Sequence, residues 1–403
     1  MNAAIRQYLV ITGNYWAFTL TDGALRMLVV LHFHQLGYSP LEIALLFVFY
    51  EFFGVVTNLL GGYLGARIGL NRTMSIGLFL QIAALAMLAV PAVMLTVPWV
   101  MAAQALSGIA KDLNKMSAKS GIKLLVPDEQ PGKLYKWVAI LTGSKNTLKG
   151  VGFFLGGVLL MSVGFTGAVI AMSVALGVVW LSSLFLLKQE LGKSKAKPKF
   201  REVLSKSRAI NVLSAARMFL FGARDVWFVV ALPVYLNTVF GWDFWKVGGF
   251  MASWVIGYGF IQTLAPRITG NMEGKHPAVL WAAALALVPA AIAIGLMAGW
   301  PAQLVVIGGL LLFGVLFAIN SSLHSYLIVS YARGDGVSLD VGFYYMSNAA
   351  GRLLGTILSG WIYQAYGLTA CLWISAGLVA MAALLSVWLP EGNDRPIEGR
   401  GYV

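Results

Sequence analysis

Residues 188–208 read KQELGKSKAKPKFREVLSKSR, and this is the only extended polar run in a chain of 403 residues. The rest of the sequence is apolar: 59% of the residues are hydrophobic and 11% are charged, whereas a soluble domain carries about 25% charged residues. Six apolar segments precede the run and six follow it, each long enough to cross about 30 Å of hydrocarbon. The sequence therefore predicts an all-α integral membrane protein with twelve transmembrane helices in two six-helix halves.

The polar run also sets the predicted domain boundaries. The N-terminal half is expected at residues 1–188 and the C-terminal half at residues 211–403, with a basic linker at 189–210. The predicted spans lie near residues 10–36, 40–64, 73–95, 98–124, 137–163, 166–188, 211–239, 245–268, 277–299, 303–331, 341–365 and 368–390.

The basic residues outside the spans predict the orientation. They concentrate in every second connection and in the two terminal segments, and such residues stay on the cytoplasmic side of a membrane. Both termini are therefore expected in the cytoplasm. The net charge is +13, and the basic residues that lie in the cytoplasmic loops are expected to face anionic membrane lipid. No nucleic-acid partner is predicted. No cleavable signal peptide is expected either, because the first span carries Asp22 and Arg26.

The content of metal-binding side chains is low. Cys371 is the only cysteine, which excludes a disulfide framework and a multi-thiolate metal site. His32, His34 and His324 show no ligand spacing. The prediction is that the protein has no metal site and no cofactor.

The two halves repeat each other weakly. An offset of 203 residues and an offset of 206 residues bring like residues together, as in the pairs Asp22/Asp225, Lys149/Arg352, Gly157/Gly360, Gly164/Gly367, Gly108/Gly314 and Asn114/Asn320. Six plus six spans with an internal repeat are typical of transporters that bind substrate between their halves at mid-membrane.

Charged residues inside the predicted spans are the strongest functional signal. A basic residue near the bilayer centre costs about 2.5–3.5 kcal/mol, so a chain that keeps several is expected to use them. Bases outnumber acids there, with Arg26, Lys111, Lys115, Lys119, Lys145, Lys149, Arg217, Arg224 and Arg352 against Asp22, Glu51, Asp112 and Asp225. This excess predicts a pathway for an anion.

A ladder of lysines runs along the fourth span at every fourth residue. Lys111 and Lys115 lie deep enough to bind substrate, and the alternative is structural pairing with Asp112. Lys119 and Lys123 lie near the end of the span, where a lysine can extend its amine to water.

Two further spans carry matched polar pairs. Lys145 and Lys149 stand one turn apart on the fifth span, so their repulsion favours an anion between them. Asn348 and Arg352 repeat this spacing in the other half, and a guanidinium binds phosphate or carboxylate with paired hydrogen bonds. Lys149 and Arg352 are the predicted central clamp, and all four residues are predicted to bind substrate.

Arginines on the seventh and first spans have open roles. Arg224 lies at mid-depth and either binds substrate or pairs with an acid, while for Arg217 a structural ion pair is expected. Arg26 is expected to pair with Asp22, four residues earlier on the same helix.

The four acids are the candidates for proton coupling: Asp22, Glu51, Asp112 and Asp225. Glu51 has no basic neighbour on its own helix, and it is either a proton carrier or a neutral structural acid. Coupling is not required by energetics, because anion export from a negative interior gains about 2.3 kcal/mol per charge per 100 mV.

The loop between the second and third spans, GGYLGARIGLNR, resembles the signature of the major facilitator superfamily. Gly62, Arg67, Gly69 and Arg72 match the signature, and Ala66 replaces its usual acid. The resemblance implies a transporter with alternating access.

A longer resemblance covers nearly the whole chain. The strings GNYWAFTLTDGALRMLVVLHFH, ALSGIAKDLNKMSAKSGIKLLVP, LTGSKNTLKGVGFF and LFGARDVWFVVALPVYL resemble the organoarsenical efflux permeases of this superfamily. The resemblance implies arsenate resistance by export of 1-arseno-3-phosphoglycerate across a bacterial inner membrane. It also implies a functional partner, the glyceraldehyde-3-phosphate dehydrogenase that makes this compound from arsenate.

Other functions fit the same charges. An organophosphate or phosphate exchanger and a proton-coupled exporter of another organic anion would need similar bases. A sensor that has lost transport would share the fold, but the tail after Pro390 is short. No coherent catalytic motif is present, so an enzyme is not predicted.

Overall fold

The computed structural model describes residues 3–38, 46–125, 131–187, 191–193, 206–270, 275–332 and 337–391. Most of the predicted linker, residues 189–210, lies outside these described residues. The helices in the described ranges are α1 (Ala3–Gln35), α2 (Val48–Ile68), α3 (Leu70–Leu88), α4 (Val97–Leu125), α5 (Pro131–Leu186), α6 (Arg208–Phe228), α7 (Ala231–Thr238), α8 (Phe244–Thr269), α9 (Lys275–Met297), α10 (Ala302–Tyr331) and α11 (Val337–Ser386).

Two of these helices are too long for one crossing. α5 has 56 residues and α11 has 50, so at 1.5 Å per residue each is more than twice as long as the hydrocarbon is thick. Each is interrupted by a glycine with positive φ: Gly164 (φ 69°, ψ 179°) and Gly367 (φ 77°, ψ −176°). A side chain disfavours this conformation, so glycine turns the chain there.

The described helices confirm the predicted fold class. Seven helical stretches of the described chain are long and apolar enough to cross a membrane, and α5 and α11 are two of them. With α5 and α11 each divided at its glycine, and α6 and α7 taken as one span, the described helices reproduce the twelve predicted spans.

The internal repeat is visible in the packing. A Cβ at Gly152 would lie 2.6 Å from a backbone oxygen of α1, and one at Gly355 would lie 2.7 Å from a backbone oxygen of α6. Similarly, Gly108 of α4 packs on α2, and Gly314 of α10 packs on α8. The same pairs of helices therefore touch through glycine in both halves.

The halves meet at the end of the bundle that carries the α2–α3 turn, which we call the basic end because Arg67 and Arg72 lie there. Ser338 Oγ of α11 donates to the Gly62 carbonyl of α2 over 2.8 Å. Tyr135 of α5 stacks on Tyr326 of α10 with ring centroids 4.7 Å apart. The bundle is thus closed at the basic end.

An apolar cavity of about 260 Å³ lies between α1, α5 and α8. Met27, Leu31 and Trp245 are among its lining residues. These residues belong to the part of each helix that is remote from the basic end, so the halves pack less completely there.

Candidate functional site

Charged side chains from six helices come together between the two halves. They belong to α1, α2, α4 and α5 of the first half and to α6 and α11 of the second. Ion pairs connect most of them.

Glu51 of α2 links the two halves. Its Oε1 atom accepts a hydrogen bond from Arg26 Nη2 at 3.1 Å and another from Arg352 Nη2 at 3.1 Å. Arg26 belongs to α1 of the same half, whereas Arg352 belongs to α11 of the other half. One carboxylate oxygen therefore bridges two guanidinium groups across the interface between the halves.

Asp225 of α6 is fully buried and holds two arginines. Its Oδ1 accepts from Arg224 Nε at 2.5 Å, and its Oδ2 accepts from Arg352 Nε at 3.2 Å. Arg352 thus binds two acids on different helices. In this structure, the guanidinium predicted to clamp the substrate is engaged by Glu51 and Asp225.

Asp112 of α4 is paired with its neighbours in the lysine ladder. Lys115 Nζ lies 2.6 Å from Asp112 Oδ1, and Lys111 Nζ lies 3.9 Å from Asp112 Oδ2. The two amines also lie over aromatic rings, Lys111 over Tyr50 at 3.8 Å and Lys115 over Tyr345 at 4.7 Å. This arrangement fits the structural pairing that the sequence had left open.

Asp22 of α1 has a different environment. Tyr50 Oη donates a hydrogen bond to Asp22 Oδ1 over 2.6 Å. The expected pair between Asp22 and Arg26 is wrong, since Arg26 turns to Glu51 on the neighbouring helix. Asp22 therefore contacts a neutral donor, whereas the other three acids contact bases.

Three of the four residues in the polar pairs on α5 and α11, all but Arg352, contact no acid in the described part of the chain. In the described part of the chain, no carboxylate lies within ion-pair distance of Lys145 or Lys149, and Lys145 Nζ donates to Asn146 Oδ1 over 3.2 Å. Asn348 is buried, and its Nδ2 has no hydrogen-bond partner among the described residues. The predicted anion ligands Lys145, Lys149 and Asn348 thus retain binding capacity.

Two bases that the sequence had assigned to structural roles differ from expectation. Lys119 is 2% exposed, so its amine does not extend to water as predicted. Arg217 is also buried, and it donates to the Ser321 carbonyl over 3.2 Å instead of pairing with a carboxylate. The four-residue spacing between Lys115 and Lys119 indicated that both lie on the same face of α4. The burial of Lys119 by neighbouring helices could not be predicted from the sequence of α4 alone.

The described residues contain no group of three or more His, Cys, Asp or Glu side chains that could hold a metal ion. The chemistry offered by the site is therefore that of ammonium, guanidinium and amide donors, which recognise anions.

The fold and this charged interface define a membrane transporter with a polar site between two helical halves. Residues 9–339 match the family model of the Major Facilitator Superfamily, and the chain belongs to this superfamily. It is accordingly a multi-pass membrane transporter and not an enzyme. No curated protein matches its sequence.

Solved transporters share the whole architecture. The human organic anion transporter MFSD10 (TETRAN) superposes with a TM-score of 0.76 at 18% identity, over 96% of this chain and 100% of that one. A bacterial homologue of the iron transporter ferroportin, in an outward-facing state, gives a TM-score of 0.73 at 12% identity, over 96% and 99% of the two chains. The E. coli fucose:proton symporter FucP gives 0.73 at 13% identity, over 97% and 100%. These likenesses show the fold.

Proposed function

We propose that the protein is a secondary-active efflux permease that exports the organoarsenical 1-arseno-3-phosphoglycerate and thereby confers arsenate resistance. The observation that carries the proposal is the set of buried or half-buried bases without an acidic partner in the described bundle: Lys119, Lys145, Lys149 and Arg217. Unpaired cations inside a membrane protein are costly unless an anion joins them. The substrate is therefore an anion.

The identity of the anion is supported by the sequence. The strings that resemble organoarsenical efflux permeases include the segments that carry Asp22, the lysine ladder, Lys149 and Asp225. Trivalent arsenite is bound by several thiolates, and the chain has one cysteine. A pentavalent arsenic oxyanion fits these bases better. The human structure of the same fold is described as an organic anion transporter, so the fold can serve this substrate class.

The proposed function depends on an enzyme that supplies the substrate. A glyceraldehyde-3-phosphate dehydrogenase that uses arsenate would make the substrate in the cytoplasm, and the permease would remove it before it decomposes. The proposed location is a bacterial inner membrane with both termini in the cytoplasm. Basic loops at that face would contact anionic lipid.

In the proposed transport cycle, the anion competes with acids for arginine. Arg352 is the centre of this exchange, because it binds both Glu51 of the first half and Asp225 of the second. A phosphoryl or arsenyl group that took over its donors would weaken the link between the halves. Such a change in cross-half pairing is one way to couple binding to alternating access.

If protons take part, Asp22 is the best-placed carrier. Glu51, Asp112 and Asp225 each contact a base, and protonation would break those pairs. Asp22 contacts the Tyr50 hydroxyl, so its proton uptake would break no ion pair. The residue after Asp22 on α1, Gly23, packs against the α5 backbone at Lys149, where an added Cβ would lie 2.6 Å from the Lys149 carbonyl oxygen.

Resistance in whole cells tests the proposal. An arsenate-sensitive strain should become resistant when it expresses the chain together with the dehydrogenase, and stay sensitive with either alone. Resistance from the chain alone would point to export of arsenate itself. Exchange of phosphate for 3-phosphoglycerate in vesicles, without any arsenate resistance, would instead identify an organophosphate exchanger.

A further inference from the structure

A group of polar side chains near the basic end takes no part in the ion pairs described above. It consists of Lys119 from α4, Lys145 from α5, Arg217 from α6, His324 from α10 and Tyr344 from α11, and we call it the lower cluster. All five helices contribute one residue. The lower cluster therefore lies where both halves meet.

Lys119 is the most unusual member. Its side chain is 2% exposed, and its Nζ has no hydrogen-bond partner among the described residues. The charged groups that act on it are all basic: Lys145, Arg217 and Lys115. Within the described chain, no carboxylate offsets this repulsion.

Arg217 is held in place but not neutralised. Its Nη1 donates to the Ser321 carbonyl at 3.2 Å, and its guanidinium lies 3.9 Å from the Phe221 ring centroid and 5.3 Å from that of Tyr344. Its Nε is buried without a partner in the described residues. A rigid guanidinium with a free donor is suited to bind an oxyanion.

A neutral member of the lower cluster also lacks partners. Both ring nitrogens of His324 are buried, with no hydrogen bond to the described residues. Buried polar groups are normally hydrogen-bonded, so unpartnered donors from several helices in one place favour a site that can bind a ligand. The donors outnumber the acceptors, so the ligand is an acceptor.

We propose that Lys119, Lys145 and Arg217 form a second anion subsite, which takes a tetrahedral oxyanion or a carboxylate from the basic-end side of the membrane. This inference rests on the proposed function in one respect: it assigns the subsite to the second anionic end of a two-ended substrate. One end would lie near Lys149 and Arg352, and the other in the lower cluster. The subsite is enclosed here because Gly62 and Ser338 close the basic end, and it would load when that end opens.

The assignment differs from the one that the sequence favoured. Lys111 and Lys115 were predicted either to bind substrate or to pair with Asp112, and Asp112 contacts both. Lys119 of the lower cluster lies one turn further along the same ladder, and no carboxylate among the described residues lies within ion-pair distance of it. The lysine without an acidic partner is therefore Lys119, one turn closer to the basic end than Lys115. The proposed anion subsite lies there.

Titration of the purified full-length protein with inorganic phosphate and with 3-phosphoglycerate tests the subsite. Wild type should bind 3-phosphoglycerate at least ten times more tightly than phosphate. Lys119→Met and Arg217→Gln should each lose about ten- to a hundredfold in affinity for 3-phosphoglycerate, the usual value of a charge-assisted hydrogen bond. Lys123→Met, one turn further along α4, is the matched control and should bind like wild type.

Thermal unfolding without ligand adds an independent readout. Lys119→Met should unfold at a higher temperature than wild type, because it removes an unpaired buried cation. Lys119→Arg should restore binding. If Lys119→Met does not fold, Lys145→Met is to be titrated in its place.

The outcomes separate the subsite from the proposed function. Wild-type affinity for both anions in Lys119→Met or its replacement overturns the subsite and leaves export untouched. Equal wild-type affinity for phosphate and 3-phosphoglycerate, with weaker phosphate binding in the variant, supports the subsite and overturns the two-ended substrate. If wild type binds neither phosphate nor 3-phosphoglycerate, both the subsite and the two-ended substrate are overturned.

Discussion

Neutralising Asp225 should destabilise the protein more than neutralising its repeat counterpart Asp22. Asp225 is fully buried and accepts hydrogen bonds from Arg224 Nε at 2.5 Å and Arg352 Nε at 3.2 Å. The change Asp225→Asn keeps the shape of the side chain but leaves both guanidinium groups without this carboxylate. Arg352 retains Glu51. For Arg224, the remaining contacts given by the structure are with aromatic rings, those of Phe221 and Phe317.

The magnitude follows from these partners. Breaking a buried ion pair from one side costs about 3–5 kcal/mol, because the other charge stays buried and uncompensated. Ring contacts return about 0.5–2 kcal/mol and do not replace a carboxylate. Asp22→Asn keeps a side-chain oxygen that accepts from the Tyr50 hydroxyl, so a bond to a charged group becomes a neutral one at a cost of about 1 kcal/mol, and no ion pair among the described residues is broken. The difference should place Asp225→Asn below Asp22→Asn in unfolding temperature.

Thermal unfolding in detergent, followed by tryptophan fluorescence, measures the effect. The double variant Asp225→Asn/Arg224→Met should recover most of the lost stability, since removing both partners of a buried pair is often neutral. The reasoning fails if Asp225→Asn unfolds no earlier than Asp22→Asn. It also fails if Arg224→Met lowers the stability of Asp225→Asn further.

Three further predictions concern transport. Lys149→Ala and Arg352→Ala should each abolish arsenate resistance at normal protein levels, and Arg352→Lys should fail as well because an ammonium cannot bridge two acids as a guanidinium does. Gly62→Ala should hinder closure of the basic end and slow transport, since its Cβ would lie 2.5 Å from the Ser338 carbonyl oxygen. The efflux rate should rise when the interior is made more negative, because a negative potential drives an anion outward. An imposed pH gradient should change the efflux rate only if Asp22 carries a proton.

Each of these has a control and a contrary outcome. Gly360→Ala on α11 meets nothing within 4 Å and should transport normally, so equal rates for it and Gly62→Ala would contradict tight closure. Full resistance in Lys149→Ala or Arg352→Ala would remove these residues from the substrate site. A wild-type protein whose efflux ignores an imposed pH gradient is not proton coupled, whatever the environment of Asp22.

Much of the fold could be predicted because it depends on local properties. Apolar runs longer than the bilayer is thick mark the spans, and the glycines that turn α5 and α11, Gly164 and Gly367, fall between predicted spans. The internal repeat was visible as like residues at offsets of 203 and 206 residues. The same two offsets relate glycines that make the same helix contacts in the two halves.

The pairing of charges was not predictable, because it is set by neighbouring helices. Glu51 has no basic neighbour along α2, yet Arg26 and Arg352 reach it from α1 and α11. Lys119 sits near the end of a span, where water access is normal, but in the folded bundle its side chain is enclosed. The position of a charged residue along its helix gives its depth in the membrane, and this depth determines the free-energy cost of burying the charge. The other helices decide which of these charges are compensated.

Arsenic uptake into everted membrane vesicles, whose outer surface is the cytoplasmic face, tests the central claim most directly. The vesicles contain the wild-type chain and receive radiolabelled arsenate, glyceraldehyde 3-phosphate, NAD and the dehydrogenase on the outside, so that the unstable substrate forms at the transporter. The account predicts that labelled arsenic accumulates inside when all components are present, and that it does not when the dehydrogenase is left out or when vesicles carry Arg352→Ala. Equal accumulation from arsenate alone, or none with the complete mixture, would contradict it.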